Sequence, residues 1–373
     1  MPVYAAGRSA APEAEVVRLF AEARRELGDD DSRELAFTLG SYAVLRNGGG
    51  HTAEAHRLSG EAVEMARRLD DPTLLAALLG ARAPIFLSSE FPEESARILA
   101  ELERLCASDL ALGSELLGWR PWPSSSGFVL SGLLRLGRGG ELDALMGRVR
   151  NLLGDSDNAV EQVSFHSRSG QLRALRGDAS GALEHGRQAL EWGMKSQNLF
   201  IRAVAHSARG RGLLSAGRLD EALEQLEQAR VLAIDRAQGM PFAAAETLPL
   251  LAEVRLRRGD VAAARAAAER GGELAGAIGF RHAEAANEIA LARALVAGGD
   301  AAAAESALAR ASELTAALDA RDLLPRVEEA RAELAQLRGD AAGREHALRA
   351  AARMHRENGE EWQATQAEAR TAV

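Results

Sequence analysis

Residues 210–229 read Gly-Arg-Gly-Leu-Leu-Ser-Ala-Gly-Arg-Leu-Asp-Glu-Ala-Leu-Glu-Gln-Leu-Glu-Gln-Ala, and this stretch decides the fold. It has the pattern of one helix that ends at Gly217 and a second helix that starts there. Glycine ends a helix readily because it adopts the left-handed conformation without a Cβ penalty. Small residues lie seven before this glycine (Gly210), five after it (Ala222) and twelve after it (Ala229). The stretch therefore predicts a hairpin of two helices that approach closely at small side chains.

The same turn recurs about every 40 residues, at Gly50, Ser89, Gly137, Gly177, Gly217, Gly259, Gly299 and Gly339. Four of these glycines are followed by an aspartate that can cap the second helix: Asp178, Asp260, Asp300 and Asp340. A second set of breaks lies about 20 residues after most turns. Such a repeat predicts an all-α, right-handed α-solenoid of about eight helical hairpins, each touching only its neighbours.

The solenoid is predicted to form one superhelical domain over residues 11–373, after a disordered N-terminus at 1–10. Within it we expect a leading helix at 11–27 and hairpins from about 31 to 358. A capping helix at 360–371 follows, with Trp362 as its anchor, and shields the last apolar face.

The turn glycine with small residues at three fixed offsets resembles the tetratricopeptide repeat (TPR) over roughly residues 30–358. The unit is longer than the usual TPR of about 34 residues, and the units at Ser89 and Gly137 are degenerate. Gly118-Trp119-Arg120-Pro121-Trp122 and the segment 323–345 are similar to the C-terminal TPR region of large bacterial signalling ATPases, often fused to nucleotide-cyclase or kinase domains. That resemblance implies a sensing or partner-binding arm. The cyclase and ATPase motifs of that family do not occur in this sequence.

The composition of the chain argues against several classes of function. The net charge of −9 disfavours a nucleic-acid-binding surface, which needs a basic stripe. Cys106 is the only cysteine, so intramolecular disulfides and cysteine-built metal sites are excluded. Lys195 is the only lysine and does not follow a phosphate-binding glycine loop, which argues against P-loop ATPases, protein kinases and enzymes that bind pyridoxal phosphate. His166, His185 and His206 lack metal-site spacing and are expected to be structural. We expect no cofactor, no metal and no catalysis.

Two regions are candidates for ligand binding. The first is the segment 118–128, where Trp119, Arg120, Trp122 and Phe128 could form a recognition loop with aromatic platforms. The alternative is a kinked helix start whose tryptophans pack under the solenoid, because two prolines interrupt the segment.

The second candidate is the inner face, which the first helices of a TPR array line. One register, six residues before each turn glycine, holds Ser131, Gln171, Arg211, Glu253, Arg293 and Glu333. We predict that Gln171, Arg211, Glu253 and Arg293 form the walls of a groove; the alternative is that the alternating charges pair between neighbouring repeats.

The sequence thus predicts a non-catalytic scaffold or sensor module in bacterial signal transduction, which binds a protein, a peptide or a small effector on its concave face. The alternative is a regulatory arm of a nucleotide-cyclase or ATPase signalling protein, acting in cis or through a partner. We expect neither a nucleic acid nor a membrane as a partner, and we expect a cytoplasmic location. The ligand and the oligomeric state do not follow from the sequence.

Overall fold

The computed structural model of the protein describes residues 13–88, 92–154, 156–235 and 241–372. Within these ranges the chain forms α-helices and no β-strand. The helices are α1 (Glu13–Leu27), α2 (Arg33–Gly48), α3 (Thr52–Arg68), α4 (Pro72–Ser88), α5 (Pro92–Leu105), α6 (Ser114–Leu117), α7 (Pro121–Arg135), α8 (Gly139–Leu153), α9 (Ala159–Leu175), α10 (Ala179–Lys195), α11 (Leu199–Ser215), α12 (Leu219–Arg230), α13 (Pro241–Arg257), α14 (Val261–Ala277), α15 (Arg281–Ala297), α16 (Ala301–Ala317), α17 (Leu324–Leu337), α18 (Ala341–Glu357) and α19 (Glu361–Ala369). The predicted disordered segment 1–10 and the predicted turn at Ser89 lie outside the described residues.

Seven of the predicted hairpin turns are described, and each has the expected glycine. Their φ angles lie between +66° at Gly137 and +87° at Gly50, in the left-handed region. The four aspartate caps are also confirmed: in each, the side chain accepts a hydrogen bond from the backbone N–H three residues later. In the Gly217 hairpin the first turn of the second helix carries Asp220 and Glu221 instead.

The small residues at the three offsets are buried where the helices cross. Ala43, Ala55 and Ala62 of the first hairpin are fully buried, and the equivalent positions of the later hairpins repeat this. At Gly210 the approach is so close that an added Cβ would lie 2.5 Å from Cγ of Leu226. Consecutive helices pack in chain order. The chain is therefore the α-solenoid of helical hairpins that the repeat predicts.

One expectation needs correction, because hairpins that are far apart in the sequence also touch. An added Cβ on Gly177 would lie 2.5 Å from the indole of Trp362, and one on Gly50 would lie 2.8 Å from Cα of Ile278. The backbone N–H of Asp322 donates a hydrogen bond to the carbonyl of Arg135 at 3.4 Å. The solenoid is therefore curved so strongly that its C-terminal part packs on the turns of earlier hairpins.

The C-terminal helix α19 takes part in this contact. Its Ala364 and Ala367 are fully buried, whereas the side chain of Trp362 is 43% exposed and lies over Gly177. Trp362 thus bridges to a distant hairpin, and the alanines cover the preceding helix. Just before α19, His355 is buried with its Nδ1 2.6 Å from Glu360 Oε2. Burial alone would lower the pKa of His355, but the neighbouring carboxylates of Glu329 and Glu360 outweigh it and raise that pKa.

Candidate functional site: the charged inner surface

The register of alternating charges forms a partial ladder of ion pairs on the first helices of the C-terminal hairpins. Arg293 of α15 pairs with Glu253 of α13 and, at 3.1 Å, with Glu333 of α17. Glu253 is also held by Arg257 at 2.7 Å, one turn further along α13. Charges of neighbouring repeats are therefore paired here, and they do not form open groove walls.

Arg211 of α11 occupies the same register but does not join this ladder. Its backbone oxygen accepts a hydrogen bond from Ser215 Oγ at 3.0 Å. Its guanidinium makes no hydrogen bond and no ion pair with any residue that the structure describes, although the side chain is only partly exposed. In the preceding repeat, Gln171 accepts a hydrogen bond from Arg168 at 3.1 Å. The charged part of this register therefore ends, towards the N-terminus, at Arg211, which has no ion-pair partner among the described residues.

Charged residues from six first helices, or from the turns that precede them, influence one another electrostatically. We call this set the inner cluster; its members are Arg135, Arg168, Arg211, Glu246, His282, Asp322 and Arg326. Arg135 Nη2 lies 4.0 Å from Glu246 Oε1, and its guanidinium lies 5.2 Å from the ring centre of Phe280. His282 Nε2 lies 3.1 Å from both carboxylate oxygens of Asp322. The strong curvature of the solenoid brings these positions together.

The inner cluster carries more positive than negative charge. Burial, followed by the charges of Arg168 and Arg326, lowers the pKa of Arg211 to about 10 against the opposing charge of Glu246. Burial also lowers the pKa of Arg135 to about 10. Both groups remain cations at neutral pH. The pKa of His282 is lowered, chiefly by burial and then by the charge of Arg135. The inner cluster thus contains four guanidinium groups and two carboxylates, those of Glu246 and Asp322.

The segment 118–128 forms a helix start whose tryptophans pack against the solenoid. Helix α7 begins at Pro121, so both prolines lie in its first turn, where their missing N–H groups are tolerated. Trp122 is 1% exposed and belongs to the core. Trp119 is partly buried against the small cluster of Ala77, Ala81 and Leu117. These indoles pack inside the solenoid. Phe128, also on α7, is partly buried.

Arg120 is used within the protein. Its backbone N–H and its guanidinium both hydrogen-bond the carboxylate of Glu161, at 3.1 Å and 3.0 Å to Oε1. The side chain of Glu161 is completely buried, and Ser156 Oγ donates a further hydrogen bond to its Oε2 at 2.8 Å. The Arg120–Glu161 pair therefore fixes the start of α7 to the start of α9. Nothing in the sequence pairs these residues, which are 41 positions apart.

Two of the histidines, His166 and His185, lie together. The Nδ1 atoms of His166 and His185 are 2.9 Å apart, whereas His206 bonds to Gln225 Oε1 at 3.0 Å. Burial, followed by the charge of His185, lowers the pKa of His166 to about 4. Among the described residues, no group of three or more His, Cys, Asp or Glu side chains is arranged to hold a metal ion.

Most of the inner cluster was not singled out from the sequence. A weak signal exists: Glu246 and Arg326 both lie 13 residues before a turn glycine, and His282 and Asp322 both lie 17 before one. Repeated registers of this kind mark a shared face of the first helices. They do not reveal that six such helices meet.

The chain is similar in structure to known helical-repeat proteins. No protein-family model matches the chain, and no curated protein matches its sequence. A Rap protein complexed with competence and sporulation factor superposes with a TM-score of 0.57 and 13% identity, covering 91% of this chain and 97% of that one. Two further structures have lower TM-scores. A signal-transduction ATPase with a TPR sensor, from Pyrococcus horikoshii, scores 0.47 at 12% identity over 98% of this chain and 54% of that one. Aspartyl phosphate phosphatase F from Bacillus subtilis scores 0.46 at 12% identity over 92% and 94%.

The chain therefore has the fold of a TPR-type helical-repeat protein, as the turn and its offsets predict. None of its described helices combines the length and the apolar character that a membrane span requires.

Proposed function

We propose that this protein is a non-catalytic binding module that holds an extended peptide, or a peptide segment of a protein partner, inside the curve of the solenoid. The observation that carries the proposal is the inner cluster, to which six first helices, or the turns before them, contribute charged side chains of both signs. The ladder pairs its charges between neighbouring repeats, whereas Arg211 makes no ion pair with a described residue. The similar Rap protein is complexed with competence and sporulation factor, which supports a binding role for a chain of this fold.

Bacterial signal transduction is the setting that we propose for this module. A peptide is a suitable ligand because the inner face presents both charge signs and polar groups over several repeats. An extended chain can contact one repeat after another through its own backbone and side chains.

The proposal is tested by panning a phage-displayed library of random dodecapeptides against the immobilised protein. Enriched peptides should bind the wild type, and Gln171→Trp should weaken their binding by filling the inner face. The matched control is Gln228→Trp, which places the same side chain on an exposed position of the second helix α12. Circular dichroism establishes that both variants are folded. Failure to enrich any peptide, or equal binding by the two variants, would refute the proposal.

A further inference from the structure

The turn between α18 and α19 carries part of the contact between the end of the chain and the earlier hairpins. Its Asn358 lies against the turn of the α7–α8 hairpin, where a Cβ added to Gly137 would collide with the side-chain amide of Asn358. Trp362 covers Gly177, the turn of the next hairpin, in the same way. Both glycines have a positive φ and no side chain, so each turn exposes its backbone to the residue that covers it. The segment 358–362 therefore joins the C-terminal helices to two distant hairpins.

This contact is less tightly packed than the helices within a hairpin. A crevice remains between its two sides, lined by Leu142 of α8 and Leu175 of α9 on one side and by Glu360 on the other. The indole of Trp362 is also 43% exposed. A contact that leaves a gap and an exposed aromatic ring buries less apolar surface, so less free energy is needed to open it.

A buried histidine fixes the shape of the α18–α19 turn. His355, in the last turn of α18, is 3% exposed. Its carbonyl accepts a hydrogen bond from the backbone N–H of Glu360 at 2.8 Å, and its Nδ1–H donates one to the Glu360 carboxylate at 2.6 Å. Glu360 lies midway between Asn358 and Trp362 in the sequence. The positions of both contact residues thus depend on the link between His355 and Glu360.

The charges that face His355 favour its protonated form. Glu360 faces Nδ1 from the start of α19, and Glu329 of α17 lies 3.5 Å from Nε2. Arg370, which follows α19, lies 3.9 Å from the Glu329 carboxylate on its other side. Burial lowers the pKa of His355, but the two carboxylates outweigh it and raise that pKa. A neutral imidazole has only one N–H, so it cannot donate to both carboxylates.

We propose that His355, together with Glu329 and Glu360, is a pH-sensitive latch that holds the coiled solenoid closed. Protonated His355 keeps Asn358 and Trp362 on the two hairpin turns, and neutral His355 releases them. Because the pKa of His355 is raised in the closed state, closing is strongest at low pH and is lost as the pH rises through that raised pKa. The inference does not depend on the proposed function, since the latch acts in the protein without a ligand.

The test is fluorine-19 NMR of the protein labelled with 5-fluorotryptophan, recorded over a pH titration. The resonance of Trp362 is assigned by its absence from the spectrum of Trp362→Phe. As the pH rises, we expect it to move towards its position in the urea-unfolded protein, with a midpoint above the ordinary histidine pKa of about 6.5. Small-angle X-ray scattering should show the radius of gyration increasing with the same midpoint.

His355→Gln cannot take up a proton, so its Trp362 resonance should stay at the high-pH position of the wild type throughout. Glu360→Gln removes one carboxylate from a side chain that is 11% exposed and should lower the midpoint, which tests the latch even if His355→Gln does not fold. The matched control is His346→Gln, on the exposed face of the same helix α18, and it should leave the titration unchanged. The latch would be overturned by a Trp362 resonance that does not titrate, or that titrates equally in His355→Gln. A radius of gyration that stays constant while the resonance moves would overturn it too.

Discussion

Replacing Arg211 by methionine should stabilise the unliganded protein. Methionine keeps an unbranched side chain of similar length but removes the charge. Each pKa unit corresponds to about 1.4 kcal/mol. The fall of the Arg211 pKa to about 10 therefore implies a cost of about 3 kcal/mol for holding the cation at this place. Because the side chain is partly exposed, solvent screens part of the charge, and we expect a gain of about 1 to 2 kcal/mol.

The matched variant at the same register should have the opposite effect. Arg293→Met leaves Glu253 and Glu333 without the cation that joins them. Loss of one partner of a partly buried pair should cost about 1 to 3 kcal/mol here, since Arg257 and Arg370 remain near the two carboxylates. One substitution, made in two repeats, is therefore expected to change stability in opposite directions.

Urea unfolding followed by circular dichroism measures both changes in the absence of ligand. Hydrogen exchange of α11 and α15 localises them, which is useful because repeat arrays can unfold in parts. If Arg211→Met lowered the urea midpoint as much as Arg293→Met does, Arg211 would be part of the structural framework. The reasoning from its missing counterion would then be refuted.

Three further predictions test the packing. Gly177→Ala should lower the unfolding free energy by about 2 to 4 kcal/mol, since its Cβ would meet the indole of the C-terminal helix. Gly217 has a similar φ and nothing within 4 Å, so Gly217→Ala should lower the unfolding free energy by about 1 kcal/mol. Equal losses on urea unfolding would disprove the contact between distant hairpins. Glu161→Gln should lower the unfolding free energy by about 3 kcal/mol, because it removes the carboxylate of a buried ion pair. A loss under about 0.5 kcal/mol on urea unfolding, typical of an exposed pair, would contradict this. The pKa of His166 is lowered from 6.5 to about 4, so the folded state resists protonation and stability should fall as the pH falls from 6.5 to about 4. His166→Phe should flatten that dependence of the urea midpoint, and an unchanged slope would show that another group causes it.

The hairpins could be predicted from the sequence because their causes are local. A left-handed glycine, an aspartate that caps the next helix and small residues at fixed offsets all act within one repeat. Asp178 illustrates this, since its carboxylate accepts the hydrogen bond from Gly181 that its position predicts. The contact of Trp362 with Gly177 is different. It depends on the rotation from one hairpin to the next, summed over several repeats, and no single turn encodes that sum.

The inner surface shows the same division between local and long-range causes. The alternation of Arg211, Glu253, Arg293 and Glu333 is visible in the sequence, and the last three of these residues are in contact. It does not say which of two arginines Glu253 will bind. Arg257 lies one turn away on the same helix, and Arg293 reaches the carboxylate from the next repeat. With two cations already in place, a third would be repelled more than attracted. The contacts that stabilise the C-terminal repeats thus leave Arg211 without a counterion, at the place where six helices meet.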